Sequence, residues 1–175
     1  MRRVMLVCAL VWSPSLFAAS VTVNFKANLR AVTCITRIVV EGSNAVNQTI
    51  DFGNFTRSTL EEQGANTRKE FSLQYSDCGL GFDPTQIKTS VKASATWSGY
   101  ITELKGGDNG AAAVLYRADS PNSLLSLNGA TVDWSSSERT AKTLNLILSL
   151  RPTSASTSSI SGTFNGSLTF TTTFQ

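Results

Sequence analysis

Histidine is absent from all 175 residues. Its absence removes the side chain most used as a general base near neutral pH and the commonest metal ligand. Carboxylates remain, at Glu61-Glu62 and Asp108 for example, but they sit among polar, turn-like neighbours with no second group to complete a catalytic constellation. Charge is scarce too: Asp, Glu, Lys and Arg make up 15% of the chain and leave a net +3, too weak a field to recruit nucleic acid. Cysteine occurs at only three positions, which does not make a tetrahedral zinc site. Long apolar runs are missing as well. The longest, Val4 to Trp12, falls well short of the roughly 20 residues that cross a bilayer. The sequence is therefore expected to hold no catalytic residue, no metal site and no cofactor, and neither to bind nucleic acid nor to insert directly into a membrane.

What is present begins with an export signal. Met1-Arg2-Arg3 is positive, Val4 to Trp12 is apolar, Ser13-Pro14 breaks the run, and Leu16-Phe17-Ala18-Ala19 offers small residues to a peptidase. This is the pattern of a secretory signal peptide over residues 1–18, cleaved after Ala18 or Ala19. Losing Arg2 and Arg3 takes the net charge from +3 to +1, and losing Cys8 leaves Cys34 and Cys78. Two cysteines in an oxidising compartment are expected to pair. Such a cross-link contributes roughly 4 kcal/mol on the chain-entropy model.

Period-two alternation dominates the rest, placing alternate side chains on one face of a strand. Val21, Val23, Phe25, Ala27 and Leu29 alternate with polar residues in a long opening strand. Ile50 and Phe52 suggest a short strand ending near Gly53. Phe71, Leu73 and Tyr75 lead into Asp77-Cys78, and Val91, Ala93, Ala95 and Trp97 form a further run. Val114 with Tyr116, Leu144 to Leu150, and Phe164 to Phe174 complete the set. Turn signals fall at Gly42-Ser43-Asn44, Asp83-Pro84, Gly106 to Gly110, Ser120-Pro121-Asn122 and Asn128-Gly129. Short strands at this spacing predict an antiparallel β-sandwich. One helical turn is predicted at Ser58 to Gln63, and Thr153 to Ser161 reads as a mobile loop.

Such a sandwich has an unmatched edge. The sequence stops inside its last alternating segment, while a strand-length alternating segment precedes Cys34. Open apolar edges are aggregation hazards. Two readings follow from the pattern: the first strand pairs within its own domain, or it serves another chain.

These residues resemble the pilin subunits of chaperone–usher fimbriae. The likeness spans the mature chain and rests on five features in order. They are a signal peptide leading into Ala19 to Lys26, then Cys34, then Tyr75-Ser76-Asp77-Cys78, then Gly162 opening a terminal alternating strand, and the penultimate aromatic Phe174. The resemblance implies an all-β, incomplete immunoglobulin-like sandwich of six strands. Its seventh strand is supplied in trans, Cys34 links to Cys78, and an N-terminal donor-strand extension precedes the domain. It divides the chain into signal peptide 1–18, extension 19–33 and pilin domain 34–175. The implied donor set is Val21, Val23, Phe25, Ala27 and Leu29. The implied acceptor strand carries Gly162, Phe164, Gly166, Leu168, Phe170, Thr172 and Phe174, with Gly166 leaving space. The implied partners are a periplasmic chaperone, an outer-membrane usher and neighbouring pilins, through backbone strand addition. The implied destination is the periplasm and then the surface fimbrium, in a role that contributes to cell adhesion.

Some residues depart from the family's pattern. Ala27 stands where many members carry Gly, Phe174 replaces the usual Tyr, and the short leader before the alternating segment is more like minor or adaptor subunits. Trp97 lies after both cysteines, against an antibody-type domain. The alternative reading is a secreted carbohydrate-binding or adhesin-type immunoglobulin-like module. Trp97, Tyr100 and Trp134 are its candidate sugar platform, with core packing as their competing assignment.

Overall fold

The computed structural model describes residues 19–29, 34–79, 82–155 and 160–174. The expected signal peptide and Cys8 lie outside these residues. Alternation builds thirteen strands: β1 (Ala19–Leu29), β2 (Ile35–Val40), β3 (Ser43–Ala45), β4 (Asn47–Phe55), β5 (Arg68–Ser76), β6 (Lys88–Ala93), β7 (Thr96–Trp97), β8 (Tyr100–Lys105), β9 (Ala111–Arg117), β10 (Ser120–Leu124), β11 (Asn128–Val132), β12 (Thr143–Pro152) and β13 (Phe164–Thr173). Two short α-helices punctuate them, α1 (Arg57–Glu62) and α2 (Ser136–Ala141). The Thr56 hydroxyl caps α1, and Ser135 with Glu138 forms a reciprocal capping box on α2. None of the described helices is long and apolar enough to cross a membrane.

The strands form two sheets. One runs β11-β6-β13-β1-β4; the other runs β3-β2-β5-β12-β9-β8-β7, with β10 added on β9. Among the described strands every pairing is antiparallel except that of β1 with β13. Their inward faces pack as expected from period two: Leu144, Leu146, Leu148 and Leu150 are all 0% exposed, beside Ile38, Leu73 and Leu115. Cys34 and Cys78 are disulfide-bonded and tie the start of β2 to the end of β5.

Several local expectations shift. The single run expected from Val91 to Trp97 is two strands in different sheets, β6 and β7, broken at Ser94-Ala95. Ser120-Pro121-Asn122 lies inside β10, which meets β9 only at Ser120 and Leu124. Asn128-Gly129 opens β11. The loop from Thr153 is pinned at its start: Ser154 donates its backbone N–H (3.0 Å) and its hydroxyl (2.6 Å) to the Glu103 carboxylate. Thr153 donates to the same carboxylate at 2.6 Å and Arg151 at 2.7 Å. Residues 156–159 of that loop lie outside the described residues.

Candidate functional site

The unusual position in the fold is the slot between β13 and β4. Among the described strands β4 reaches its sheet only through β1, and β1 occupies the slot with a ladder on each side. Along β13 it runs parallel, Val21 opposite Phe164 through Phe25 opposite Leu168 to Leu29 opposite Thr172. Along β4 it runs antiparallel, Val23 opposite Ile50 and Lys26 opposite Asn47, with a bulge at Val21-Thr22. The strand for which a second chain was expected is therefore supplied here in cis. The physical reason is connectivity: β1 joins Cys34 through only residues 30–33, so it starts beside its own groove.

Within the slot, the alternation of β1 is realised as drawn from sequence. Val23 and Phe25 point into the core, 0% and 1% exposed, while Asn24 and Lys26 face solvent. Outside, the Thr49 hydroxyl donates to Asn24 Oδ1 at 3.0 Å. Val21, Ala27 and Leu29 are placed by backbone register alone, as their side chains lie outside the described residues. Phe25 sits 5.2 Å from the ring of Phe71 on the opposite sheet and 6.1 Å from Phe170 on β13. Phe71 and Phe170 close the triangle edge to face at 5.9 Å. Clusters of this kind add about 0.5–1.5 kcal/mol per pair beyond the area they bury.

β13 contributes Phe164, Gly166, Leu168, Phe170 and Thr172 to the inner face, all buried. Gly162 precedes the strand in a turn at φ 98° and is not part of that face. Gly166 does not leave space for β1. A methyl there would lie 2.9 Å from Leu104 side-chain atoms, so the room belongs to the facing sheet. The same device recurs at the strand's start, where the Phe164 ring lies over Gly106, 2.6 Å from where a Cβ would stand.

Both ends of β13 are fastened. At the start, Asn165 N–H donates to Gly106 O at 2.7 Å, and Asn109 Nδ2 donates to Thr163 O at 2.7 Å. At the far end Thr172 proves to be more than a tolerated polar residue. Its hydroxyl lies 2.8 Å from Tyr75 OH and 2.9 Å from Thr89 Oγ1, and Tyr75 and Thr89 are 3.3 Å apart. Trp134 Nε1 donates to Thr89 Oγ1 at 3.1 Å. Three hydroxyls can each donate once around this triangle, which leaves an acceptor for the indole. The network joins β5 to β6 and β13 across the core, and burial, against the hydrogen bonds from Thr172 and Thr89, pushes the Tyr75 phenol pKa up. Phe174 then packs edge to face on Tyr75 at 5.2 Å and on Phe82 at 5.8 Å.

The inward described positions of β1 and β13 carry no charged side chain, so the slot selects by ladder and shape. Among the described residues no group of three or more His, Cys, Asp or Glu is placed to hold a metal. Of the aromatics weighed as a sugar platform, Trp97 and Tyr100 are cross-strand partners, while Trp134 stands apart in the main core. Trp97 is buried and donates to Ala111 O at 3.0 Å, Trp134 is in the main core 5.2 Å from Tyr75, and only Tyr100 is exposed. The sequence reading missed Tyr75, Thr89 and Trp134 as makers of the groove's end; Tyr75 was visible as an inward position, but its partners lie on distant strands.

A model of the family described as fimbrial protein matches residues 23–175. Among solved structures, the P pilus rod subunit PapA superposes with a TM-score of 0.63 at 21% identity, covering 82% of this chain and 94% of that one. A chaperone–usher pilus structure concerned with rod uncoiling gives 0.54 at 18% identity, covering 100% of this chain and 96% of that one. At these identities the likeness is one of fold. No curated protein matches the chain.

Proposed function

The chain belongs to the fimbrial protein family, and from that premise we propose that it is a structural subunit of a bacterial fimbria, built in by exchange of the strand that fills its groove. In this reading a periplasmic chaperone first lends a strand beside β13. At an outer-membrane usher the extension of a neighbouring subunit takes its place. Phe164, Leu168, Phe170 and Thr172 are the acceptor face, and Val21, Val23, Phe25, Ala27 and Leu29 are the set this chain offers to its neighbour.

The observation that carries the reading is the two-sided slot. A single extended segment, β1, bridges β13 and β4 and completes the core between them. Any strand with small or apolar residues at alternate positions meets the same two ladders, and side-chain fit then sets register. No nucleotide is needed, since burial and ladder formation supply the free energy. The carbohydrate-binding alternative loses support, because both tryptophans proposed for it are committed to packing.

A donor-side substitution tests the assignment. Phe25→Asp removes the central apolar side chain of β1 and leaves β13 untouched. Expressed with a cognate chaperone and usher, the variant is expected to accumulate in the periplasm bound to chaperone and to be lost from purified fimbriae as a donor. Fibres that contain it in normal proportion, extended on both sides, would overturn the donor assignment.

A further inference from the structure

We propose that the outer face of the sheet containing β1 is a binding site for a sulfated polysaccharide, centred on Lys26, Thr169 and Lys92.

The ladders set these residues in one row. Lys92 of β6 is the partner of Thr169 of β13, and Thr169 is the partner of Lys26 of β1. Asn128 of β11 and Asn47 of β4 extend the row at its two ends. Lys26 and Lys92 are exposed, and Thr169 is half-buried between them. Two strand spacings separate the lysines, about 9.6 Å between backbones. Their long, flexible stems close that gap, so both ammonium groups reach one anion resting on the Thr169 hydroxyl.

The placement of this pair differs from that of ordinary surface charge. Lysine commonly guards the open edge of a sheet. Here the edge strands β4 and β11 carry none, and both lysines stand on interior strands. All 12 Asp and Glu residues lie among the described residues, and the ion pairs formed there include neither lysine. Asp51, on the same face, is four residues along β4 from Asn47, a distance of about 13 Å. Asp133 falls beside Lys88 rather than Lys92, since its neighbour Val132 pairs with Thr89. Two like charges therefore face each other across one strand, and no carboxylate of the chain offsets them. An anion from outside does.

The surroundings decide the class of anion. Among the described residues no aromatic side chain lies on the outward face of β6, β13 and β1 to stack a nucleic-acid base. No apolar one is there to enter a bilayer. Two lysines also fall short of the roughly four to eight basic residues that recruit an anionic membrane. The outward neighbours of the pair are Ser, Thr and Asn. A sulfated polysaccharide matches both features, with ester sulfates for the ammonium groups and ring hydroxyls for the hydroxyl and amide side chains. A second copy's segment entering the slot in the observed register brings its own Lys26 to the same row.

Heparin is the probe, titrated against the isolated full chain at low ionic strength. Lys26→Gln with Lys92→Gln is expected to weaken binding about tenfold or more, while Lys26→Arg with Lys92→Arg keeps it. Thr169→Glu sets a carboxylate between the two ammonium groups and is expected to abolish binding. Arg57→Gln with Lys69→Gln removes the same charge from residues off this sheet that are already paired with Glu61 and Glu41, and is expected to change nothing. All these positions are at the surface, and melting temperatures close to wild type confirm folding.

The proposal is overturned if the glutamine pair or Thr169→Glu binds heparin as wild type does, or if the charge-matched control loses as much. It is equally overturned if phosphatidylserine vesicles or duplex DNA bind as tightly as heparin. The measurement needs no chaperone, usher or fibre, so its failure leaves the fimbrial reading untouched, and failure to enter fimbriae leaves the polysaccharide site standing.

Discussion

At Gly166 a side chain is excluded by a residue from the other sheet. The nearest Leu104 atoms stand 2.9 Å from where a Cβ would lie, and Leu104 is itself 0% exposed. Two buried groups would have to share one volume, and overpacking of this kind costs about 1–3 kcal/mol. Gly166→Ala is expected to lower the unfolding free energy by that amount, read from urea titration. Adding Leu104→Ala in the same chain should cost less than the sum of the two single changes, because the second vacates what the first needs. Strict additivity would mean that Leu104 is not what keeps position 166 a glycine. The family resemblance implied that Gly166 leaves space on the acceptor strand. Alternation tells which residues point inward but not which neighbour fills the space, so the partner was invisible until the sheets were stacked.

Elements show the same boundary between what is legible and what is not. The inward set of β1, β12 and β13 follows from period two alone, and the described members, from Phe25 to Leu150 to Phe170, are buried as read. The break between β6 and β7 was hidden because Val91, Ala93, Ala95 and Trp97 keep the alternation while the chain changes sheet. Glu103 was equally unreadable: it lies in β8 and is fully buried, and its partners Arg151, Thr153 and Ser154 lie about fifty residues away. Burial by itself would push its carboxyl pKa up, but donors from Ser154, Thr153 and Arg151 outweigh that and hold it below its ordinary value of 4.5. A depressed carboxylate contributes stability that is present above the unfolded value and lost as pH falls through the folded one. The wild-type melting temperature should therefore fall below about pH 4.5 more steeply than that of Glu103→Gln. The variant should be the less stable at pH 7, and the gap should close on acidification. Parallel curves from pH 7 to pH 3 would show that the carboxylate is not what clamps the start of the β12–β13 loop.

For the molecule as a whole, the main consequence is that one terminal segment completes half of the sandwich. β4 has a ladder with β1 and with no other described strand, while β5, β12 and β9 pair continuously in the opposite sheet. Local stability should be divided accordingly, since cooperative units open where their pairing ends. Truncating Phe25 removes the side chain that joins β1 to both Phe71 and Phe170, and a Phe→Ala change in such a core costs about 3–5 kcal/mol. If that loss is spent on releasing β1, the domain need not unfold globally. In Phe25→Ala, amide hydrogen exchange should therefore speed up together in β1, in β4 and along the β1-facing edge of β13. Amides of β5, β12 and β9 should keep protection close to wild type. The disulfide between Cys34 and Cys78 belongs to the part that stays, because it ties β2 to β5 at the base of the connection to β1. Should β4 remain protected while β1 exchanges freely, the slot would have a second source of order, and β1 would be an ornament on a sheet that stands without it. Should all strands exchange at one rate, β1 would be inseparable from the fold, and no strand could leave without unfolding the subunit.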